Sequence, residues 1–398
     1  METIAYFFDE QTKKLFWGKK SALKLTSNQT IDELQTYLDQ HPNSYKVIAL
    51  SYDLKNSIES KLTSENQDFI HFPDVVCWQP ELVIDIHENE FQILDGNPTE
   101  KQLSEIQEFI NETQTANEKL PHLSFRPHSD KQAYITAVTE VLREIQYGNS
   151  YEVNFCQSFV AENVPEFAST TLIQKLYELT KAPFSAYLKV DEFELFCGSP
   201  ERFLKKAGTK LISQPIKGTV KRGQTQAEDE QLKQHLKQSQ KEQSENVMIV
   251  DLVRNDLSIV AQKGSVNVEE LAEIHSFNTV HHLISKIACE LKENATFTDI
   301  LKATFPMGSM TGAPKISTMN IIERLENFKR GIYSGSVGYI TPNGDFDLNV
   351  VIRSLIKNNQ TQTMSCSVGG AITIQSDIEK EYEECLVKVG KILELFNE

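Results

Sequence analysis

The chain has 398 residues, more than one ordinary hydrophobic core needs, which predicts either two domains or one large sandwich of helices and sheets. Its 56 acidic and 40 basic residues give a formal net charge of -16. Because this charge repels nucleic-acid phosphates and anionic lipid, we expect neither as a partner. A small anionic substrate would need local cations or a metal ion in its binding site.

The cysteines and the hydropathy pattern indicate the compartment. No two cysteines form a CxxC pair and all have apolar neighbours, which predicts buried thiols rather than disulfides or zinc ligands. No stretch approaches the roughly 18 apolar residues of a membrane span. We therefore expect a cytoplasmic protein in a reducing compartment. The cysteines are Cys77, Cys156, Cys197, Cys289, Cys366 and Cys385.

Up to about Leu120, strand-like and helical patches alternate. The segment NETQTANEKLPHLSFRPHSD, residues 111–130, is polar and twice interrupted by proline, which predicts a linker. The chain is therefore expected to have an N-terminal region, residues 1–120, and a main domain, residues 125–398. We expect the N-terminal region to contribute to the same sandwich of sheets and helices as the main domain.

After the linker, Ser129 or Asp130 can cap a helix that ends at Gly148. Segments rich in β-branched and aromatic residues then predict strands, many of them antiparallel. The apolar face of the helix carries Tyr134, Val138, Val141 or Leu142, and Ile145. The strand segments are YEVNFCQSF, SAYLKV, FELFCGS, YSGSVGYIT, NVVIRSLI and TMSCSVGGAITI.

Residues 223–246 are Gln-rich and almost entirely polar, which predicts a solvated helix, whereas VMIVDLVRNDLSIV after them predicts a buried one. Two pairs of glutamates share a helix face at a spacing of three: Glu242 with Glu245, and Glu381 with Glu384 in a helix capped by Ser376 or Asp377. Two such pairs facing each other would suit Mg²⁺, which prefers carboxylate oxygens. For either pair alone, a solvated helix face is the commoner explanation.

Two glycine-rich runs, FPMGSMTGAPK and SVGGAI, combine small residues, Thr311 and main-chain amides where an anion could approach the backbone. Tight turns are the alternative explanation. The sequence has no GxxxxGK[ST], and GSMTGAPK lacks the strand–GxGxxG–helix pattern, so a nucleotide site is not expected.

Taken together, these motifs resemble the chorismate-utilising enzymes, which include the component I chains of anthranilate synthase and aminodeoxychorismate synthase, isochorismate synthase and salicylate synthase. The resemblance spans about Tyr147 to Val389 and rests on the order of the motifs. They are YEVNFCQSF, GSPERFL, QPIKGT, SENVMIVDLVRNDL, VHHLIS, FPMGSMTGAPK, GSVGY, VVIRS, VGGAI and EYEE.

The resemblance implies an α+β fold in which two large, mostly antiparallel β-sheets pack as a sandwich with helices outside and the active site between the sheets. Residues 125–398 would then be the chorismate-binding catalytic domain. It implies that Glu242, Glu245, Glu381 and Glu384 hold Mg²⁺, which binds the ring carboxylate of chorismate. The residues implied for substrate binding, chiefly for the second carboxylate, are Tyr339, Arg353, Gly369, Gly370, Thr311 and Lys315.

The stretch QPIKGT resembles the corresponding motif of aminodeoxychorismate synthases, which contains PIKGT. Anthranilate synthases typically have PIAGT there, with alanine in place of the lysine. By this resemblance Lys217 is the nucleophile that attacks ring carbon C2, and Glu201 is the acid that protonates the departing C4 hydroxyl. His282 would contact the substrate. We expect burial to lower the pKa of Lys217, nearby glutamates to oppose this, and bound Mg²⁺ to offset the glutamates, so that the metal-loaded site lowers the pKa further than the empty one. Proton transfer from Lys217 to Glu201 on binding is another route to the free amine. A lysine whose stem packs while its head reaches water is the alternative.

Within the family, isochorismate and salicylate synthases have a lysine that activates water at the position where this chain has Glu152. Most aminating members have glutamine at that position, so Glu152 is a departure. No GxCxG glutaminase motif occurs. The resemblance therefore implies a separate glutamine amidotransferase subunit that supplies ammonia, and a 4-amino-4-deoxychorismate product that a separate lyase converts to 4-aminobenzoate for folate. Anthranilate synthase component I is the main alternative, followed by isochorismate synthase and a non-catalytic binding subunit.

Overall fold

The structure is a computed structural model that describes residues 2–27, 29–87, 90–115 and 118–397. Its strands are β1 (Ile4–Phe8), β2 (Lys13–Trp17), β3 (Ser21–Leu25), β4 (Lys46–Leu50), β5 (Val75–Gln79), β6 (Leu82–His87), β7 (Glu90–Asp95), β8 (Arg126–Pro127), β9 (Glu152–Ala161), β10 (Phe184–Val190), β11 (Phe193–Ser199), β12 (Arg202–Ala207), β13 (Lys210–Gln214), β14 (Ile216–Lys221), β15 (Asn267–Ser276), β16 (Val280–Glu290), β17 (Gly312–Ala313), β18 (Ser336–Ile340), β19 (Phe346–Asn349), β20 (Ser354–Asn358) and β21 (Thr363–Thr373). Its α-helices are α1 (Asp32–Gln40), α2 (Lys55–Ile58), α3 (Glu100–Thr115), α4 (Lys131–Gln146), α5 (Ser169–Thr180), α6 (Gln226–Gln238), α7 (Gln240–Val260), α8 (Phe297–Thr304), α9 (Lys315–Leu325) and α10 (Ile378–Leu393).

The strands form two large sheets. The first has the order β17-β9-β21-β20-β11-β10-β1-β2-β6-β7, with β8 on β9, and the second has the order β14-β16-β13-β12-β19-β18-β4-β5-β3, with β15 on β16. Strands from the first 95 residues lie in both sheets: β1 pairs with β10, and β4 pairs with β18 in the register Ala49↔Val337. All of the pairings that build these two sheets are antiparallel.

Two large hydrophobic clusters pack against the sheets, and a third, small cluster contains Leu236, Ala272 and Leu283. The cluster between the sheets takes Leu195 from the first sheet, Leu348 from the second, and Ile249 and Leu257 from α7. The other large cluster covers the outer face of the first sheet, where α3, α4, α5, α9 and α10 pack. The predicted α+β sandwich is confirmed, and its core reaches the helix that carries two of the predicted metal ligands.

Several elements match their sequence predictions and others differ. Asp130 caps α4 by accepting a hydrogen bond from the Ala133 amide, and the six cysteines are buried free thiols, as predicted. By contrast, α3 extends through Thr115 into the predicted linker. The Gln-rich segment breaks at Ser239 into α6 and α7, because Ser239 caps α7. None of the helices in the described part of the chain is both long and apolar enough to span a bilayer.

Candidate active site

A cavity of about 560 Å³ is lined by strands of both sheets, by α7 and α10, and by the turns before β12 and β20. This volume lies within the range of small-molecule sites, roughly 300–1,000 Å³. Most of the predicted site residues share its wall: Glu201, Lys217, Glu242, Glu245, His282, Arg353, Gly369, Gly370, Glu381 and Glu384.

Lys217 reaches the cavity from β14, where the pairing with β16 is irregular. Lys217 is opposite Leu283, but the next pair is Thr219 with His282, so Gly218 is the extra residue of a β-bulge. Gly218 has a φ of +78°, a conformation that favours glycine. The PIKGT stretch therefore encodes the bulge as well as the lysine, and the bulge sets the direction of Lys217.

Lys217 forms a buried ion pair with Glu152. The Lys217 ammonium Nζ donates a hydrogen bond to Glu152 Oε1 at 2.6 Å, and the two residues are 8% and 0% exposed. Burial acts to lower the pKa of Lys217, but Glu152, Glu245 and Glu201 together raise it above its ordinary value. The carboxylates therefore outweigh the desolvation, and the predicted lowering of this pKa by bound Mg²⁺ stays a prediction.

The backbone around Glu152 is held tightly. Ser150 Oγ donates a hydrogen bond to the Glu152 carbonyl at 2.9 Å, and Ala313 of β17 pairs with Glu152 at the sheet edge. A Cβ at Gly312, where φ is +136°, would lie 1.9 Å from the Glu152 carbonyl oxygen, so only glycine fits there. The glycine of the TGAPK motif therefore serves to position Glu152.

Glu201 lies in the turn between β11 and β12, where its Oε1 accepts a hydrogen bond from Ser309 Oγ at 2.7 Å. Burial raises the pKa of Glu201 to about 7, although Ser309 and Lys217 act to lower it. Its carboxyl group is therefore protonated below about pH 7 and loses its proton as the pH rises through that value. Such a group can donate a proton at neutral pH.

The two adjacent histidines have different surroundings. His282 lines the cavity, and its Nδ1 lies 2.8 Å from Thr219 Oγ1. Burial, with the nearby Arg353, lowers the pKa of His282 to about 4, so this imidazole is neutral at pH 7. His281 is fully buried away from the cavity, with its Nε2 2.9 Å from Asp229 Oδ1. His281 therefore has a structural role, and His282 can contact substrate only as a neutral hydrogen-bonding group.

The four predicted metal ligands lie on the cavity wall with two lysines among them. Lys241 Nζ is 3.9 Å from Glu245 Oε1 and 3.6 Å from Glu381 Oε1, and Lys388 Nζ is 2.7 Å from Glu384 Oε1. In the described ranges, no group of three or more His, Cys, Asp or Glu lies close enough together to hold a metal ion. The four-glutamate magnesium site therefore stays a prediction.

The chemistry of this cluster nevertheless fits a hard cation. Glu245 Oε1 is buried, and no described residue gives it a hydrogen bond. Burial, together with the charges of Glu152 and Glu242, raises the pKa of Glu245 to about 7. Since the Lys241 side chain is 44% exposed, it can turn into solvent at little cost and leave the carboxylates free.

Arg353 lies where the chain crosses from the second sheet to the first. The sequence predicts it within a strand, but β19 ends at Asn349, β20 begins at Ser354, and Arg353 has a φ of +51°. Its carbonyl accepts a hydrogen bond from Gly198 on β11. Within the described ranges the Arg353 guanidinium has no hydrogen-bond or ion-pair partner. This positively charged group on the cavity wall can therefore bind an anion.

Three predicted substrate-binding residues lie outside the cavity wall. The Tyr339 ring packs against Phe7 and Phe16 in the core, and Thr311 Oγ1 donates to the Met307 carbonyl. Lys315 forms an ion pair with Asp256 at 2.5 Å. Their positions do not support direct substrate binding. Tyr333, Asn154 and Ser309 line the cavity instead and were not predicted, because only the crossing of distant strands brings them there.

A buried arginine behind the wall ties several of these segments together. Arg330 pairs with Glu326 at 2.6 Å and donates hydrogen bonds to the carbonyls of Met310 at 2.7 Å and Asn154 at 2.8 Å. Met310 and Asn154 both line the cavity. Arg330 therefore holds the backbone of two cavity-lining residues in place, although it does not line the cavity itself.

Replacing Arg330 by alanine should lower the free energy of unfolding by about 3–5 kcal/mol, because the buried Glu326 loses its partner. The pair of the exposed Arg324 with the partly buried Glu144 is the control, and Arg324→Ala should cost no more than about 1 kcal/mol. Urea unfolding of both variants measures the difference. Equal small losses would show that Arg330 does not hold the wall.

The model of the chorismate binding enzyme family matches residues 2–394. The chain is 36% identical over 352 residues to aminodeoxychorismate synthase component 1 of Escherichia coli (strain K12), covering 86% of this chain and 74% of that one. It is 43% identical over 262 residues to the probable chloroplastic aminodeoxychorismate synthase of Oryza sativa subsp. japonica, covering 65% of this chain.

The chain spans only 29% of the length of the rice protein. Among solved structures, anthranilate synthase component I from Streptococcus pneumoniae TIGR4 matches with a TM-score of 0.83 at 24% identity, covering 97% of this chain and 93% of that one. That likeness establishes the fold. A family match over nearly the whole chain, together with the two-sheet fold, leads to one conclusion: the chain belongs to the chorismate binding enzyme family.

Proposed function

We propose that this chain is the chorismate-aminating component of an aminodeoxychorismate synthase, which forms 4-amino-4-deoxychorismate and water from chorismate and ammonia. The proposal rests mainly on the position of Lys217. This lysine is buried on the cavity wall, which the acid Glu201 also lines. The names of the relatives from Escherichia coli and rice support the same activity. A lyase acting on the product would give 4-aminobenzoate for folate.

The cavity offers separate places for the two carboxylates of chorismate. The unpartnered guanidinium of Arg353 suits one of them, because its donors match a carboxylate in two parallel hydrogen bonds. The other would be bound beside Glu242, Glu245, Glu381 and Glu384 through Mg²⁺. When bound there, Mg²⁺ would supply positive charge that neutralises the glutamates and attracts the ring carboxylate.

The side chains of this chain then provide the covalent chemistry. The lone pair of Lys217 Nζ forms a bond to ring carbon C2, the two ring double bonds shift, and the C4–O bond breaks. Glu201 gives its proton to the departing hydroxyl, which leaves as water. Ammonia next forms a bond to C4, the double bonds shift back, and the C2–Nζ bond breaks. Glu201 accepts a proton from the new ammonium group and is ready for the next turnover.

Product analysis tests the proposed function. Purified protein with chorismate, Mg²⁺ and ammonium at raised pH should form a product that an added 4-amino-4-deoxychorismate lyase converts to 4-aminobenzoate, because neutral NH₃ carries the attacking lone pair. Liquid chromatography separates the candidates. Direct formation of fluorescent anthranilate would make the chain an anthranilate synthase component instead, and no consumption of chorismate would make it a binding subunit.

Glutamine should support no reaction with this chain alone, since the sequence lacks the GxCxG motif of a glutaminase. Addition of an amidotransferase subunit should restore use of glutamine in the same assay. Release of glutamate from glutamine by the purified chain would contradict the proposal of a separate partner.

A further inference from the structure

We propose that Glu152 takes the proton of Lys217 and holds it while Lys217 is bonded to the substrate. Glu152 would thus be the positioning and proton-accepting residue of the nucleophile. The inference rests on the proposed function, because it requires Lys217 to react with chorismate.

The contact between the two groups is direct and buried. The 2.6 Å separation of Lys217 Nζ and Glu152 Oε1 needs only a short proton movement, and Glu152 is fully buried. Bulk water therefore cannot easily reach the proton on this side of the lysine. The second oxygen, Glu152 Oε2, is also buried and has no hydrogen-bond partner in the described part of the chain.

This unpartnered oxygen makes the charged pair costly once the cavity fills. A buried carboxylate is stable only when its oxygens are hydrogen-bonded, and proton transfer from Lys217 removes two buried charges at once. Before substrate binds, the carboxylate of Glu152, at hydrogen-bond distance, is the main charge that holds Lys217 as an ammonium. Substrate displaces water from the cavity, which removes solvation that favours the charged pair.

Glu201 is a poorer acceptor for the same proton. Its Oε1 already receives the Ser309 hydroxyl, and no hydrogen bond joins Glu201 to Lys217 among the described residues. Glu201 must also begin the reaction protonated in order to release the C4 hydroxyl as water. The two carboxyl groups therefore divide the work, with Glu152 serving the nucleophile and Glu201 serving the leaving group.

The proton balance closes over one turnover. The Lys217 ammonium gives one proton to Glu152, and the resulting amine bonds to C2 as a secondary ammonium. When ammonia bonds to C4, the C2–Nζ bond breaks and its electron pair returns to Lys217 as a neutral amine. Glu152 then returns the proton to Lys217, which restores the ion pair seen in the structure.

The test is the pH dependence of adduct formation, measured by rapid quench and intact mass with chorismate and Mg²⁺ but without ammonia. Below about pH 6, where Glu201 is mostly protonated, the wild-type rate at saturating Mg²⁺ and chorismate should be independent of pH because the transfer is internal. Glu152→Gln can still accept the hydrogen bond but cannot take the proton. Its rate should rise about tenfold per pH unit and be about a hundredfold lower than wild type at pH 6.

A second variant controls for structure. Glu152→Asp keeps a carboxylate and should restore the pH-independent rate, which a purely structural role for Glu152 would not require. A tenfold rise per pH unit in the aspartate variant would overturn the proposal. So would a Glu152→Gln rate at pH 6 equal to or above that of wild type, since Glu152 would then only be a counter-ion that suppresses the free amine.

The outcome also separates this inference from the function on which it rests. If the wild-type protein forms no adduct, then Lys217 is not a nucleophile and the proposed mechanism fails. If the wild-type protein forms the adduct and Glu152→Gln does so with the same pH dependence, only the role of Glu152 is wrong.

Discussion

Lys217→Arg should abolish the covalent adduct with chorismate and slow amination about a thousandfold, which corresponds to ~4 kcal/mol of activation free energy. Arginine keeps the positive charge and can still pair with Glu152, but it does not lose its proton in proteins and cannot supply a lone pair. Intact-mass measurement detects the adduct, and a coupled lyase assay measures the turnover.

Two further variants make the result specific. Lys217→Ala should also lose the adduct, but it leaves room for slow direct attack by ammonia at high concentration. Lys221→Arg on the same strand is the control, because Lys221 is exposed and lies outside the cavity wall. Wild-type turnover of Lys217→Arg with an unchanged pH profile would show that Lys217 is a binding cation.

Glu245→Gln and Glu384→Gln should each reduce turnover about a hundredfold, or ~2.7 kcal/mol. Carboxylates from α7 and α10 repel one another until cations neutralise them, so loss of one charge should weaken the coupling between Mg²⁺ and chorismate. Calorimetric titration of chorismate with and without Mg²⁺ measures this coupling directly.

Glu379→Gln provides the matched control on α10. Glu379 pairs with Lys131 and is absent from the cavity wall, so its variant should behave like wild type. If both cavity variants retained the wild-type Mg²⁺ dependence, Glu245 and Glu384 would not be metal ligands, and Lys241 would be the resident cation of the cluster.

Local patterns predicted a large part of the fold. The 3.6-residue periodicity of α4 and its Asp130 cap can be identified within one short segment of the sequence. The strand β11 coincides with the predicted segment FELFCGS. These features depend on nearest neighbours, so the sequence contains them directly. The two-sheet architecture followed from the resemblance, because no local pattern states which strands pair.

The parts of the site that sequence reasoning missed depend on contacts between distant segments. Glu152 precedes Lys217 by many residues, and only the approach of β9 to β14 makes them an ion pair that raises the pKa of Lys217. Tyr339 was expected at the site from its motif, but its position on β18 directs its ring into the core between the sheets. Burial lowers the pKa of a lysine and nearby carboxylates raise it. Which effect is larger depends on distances in the folded protein.

The sharing of early strands between both sheets has a consequence for biosynthesis. The strand that contains Ala49 cannot pair with Val337 until most of the chain has left the ribosome. At synthesis rates of about 5–20 residues per second, such a strand waits on the order of tens of seconds with its edge exposed. Strand pairings of this sequence separation also fold slowly. We therefore expect the nascent chain to need a chaperone that shields these edges until its C-terminal half emerges.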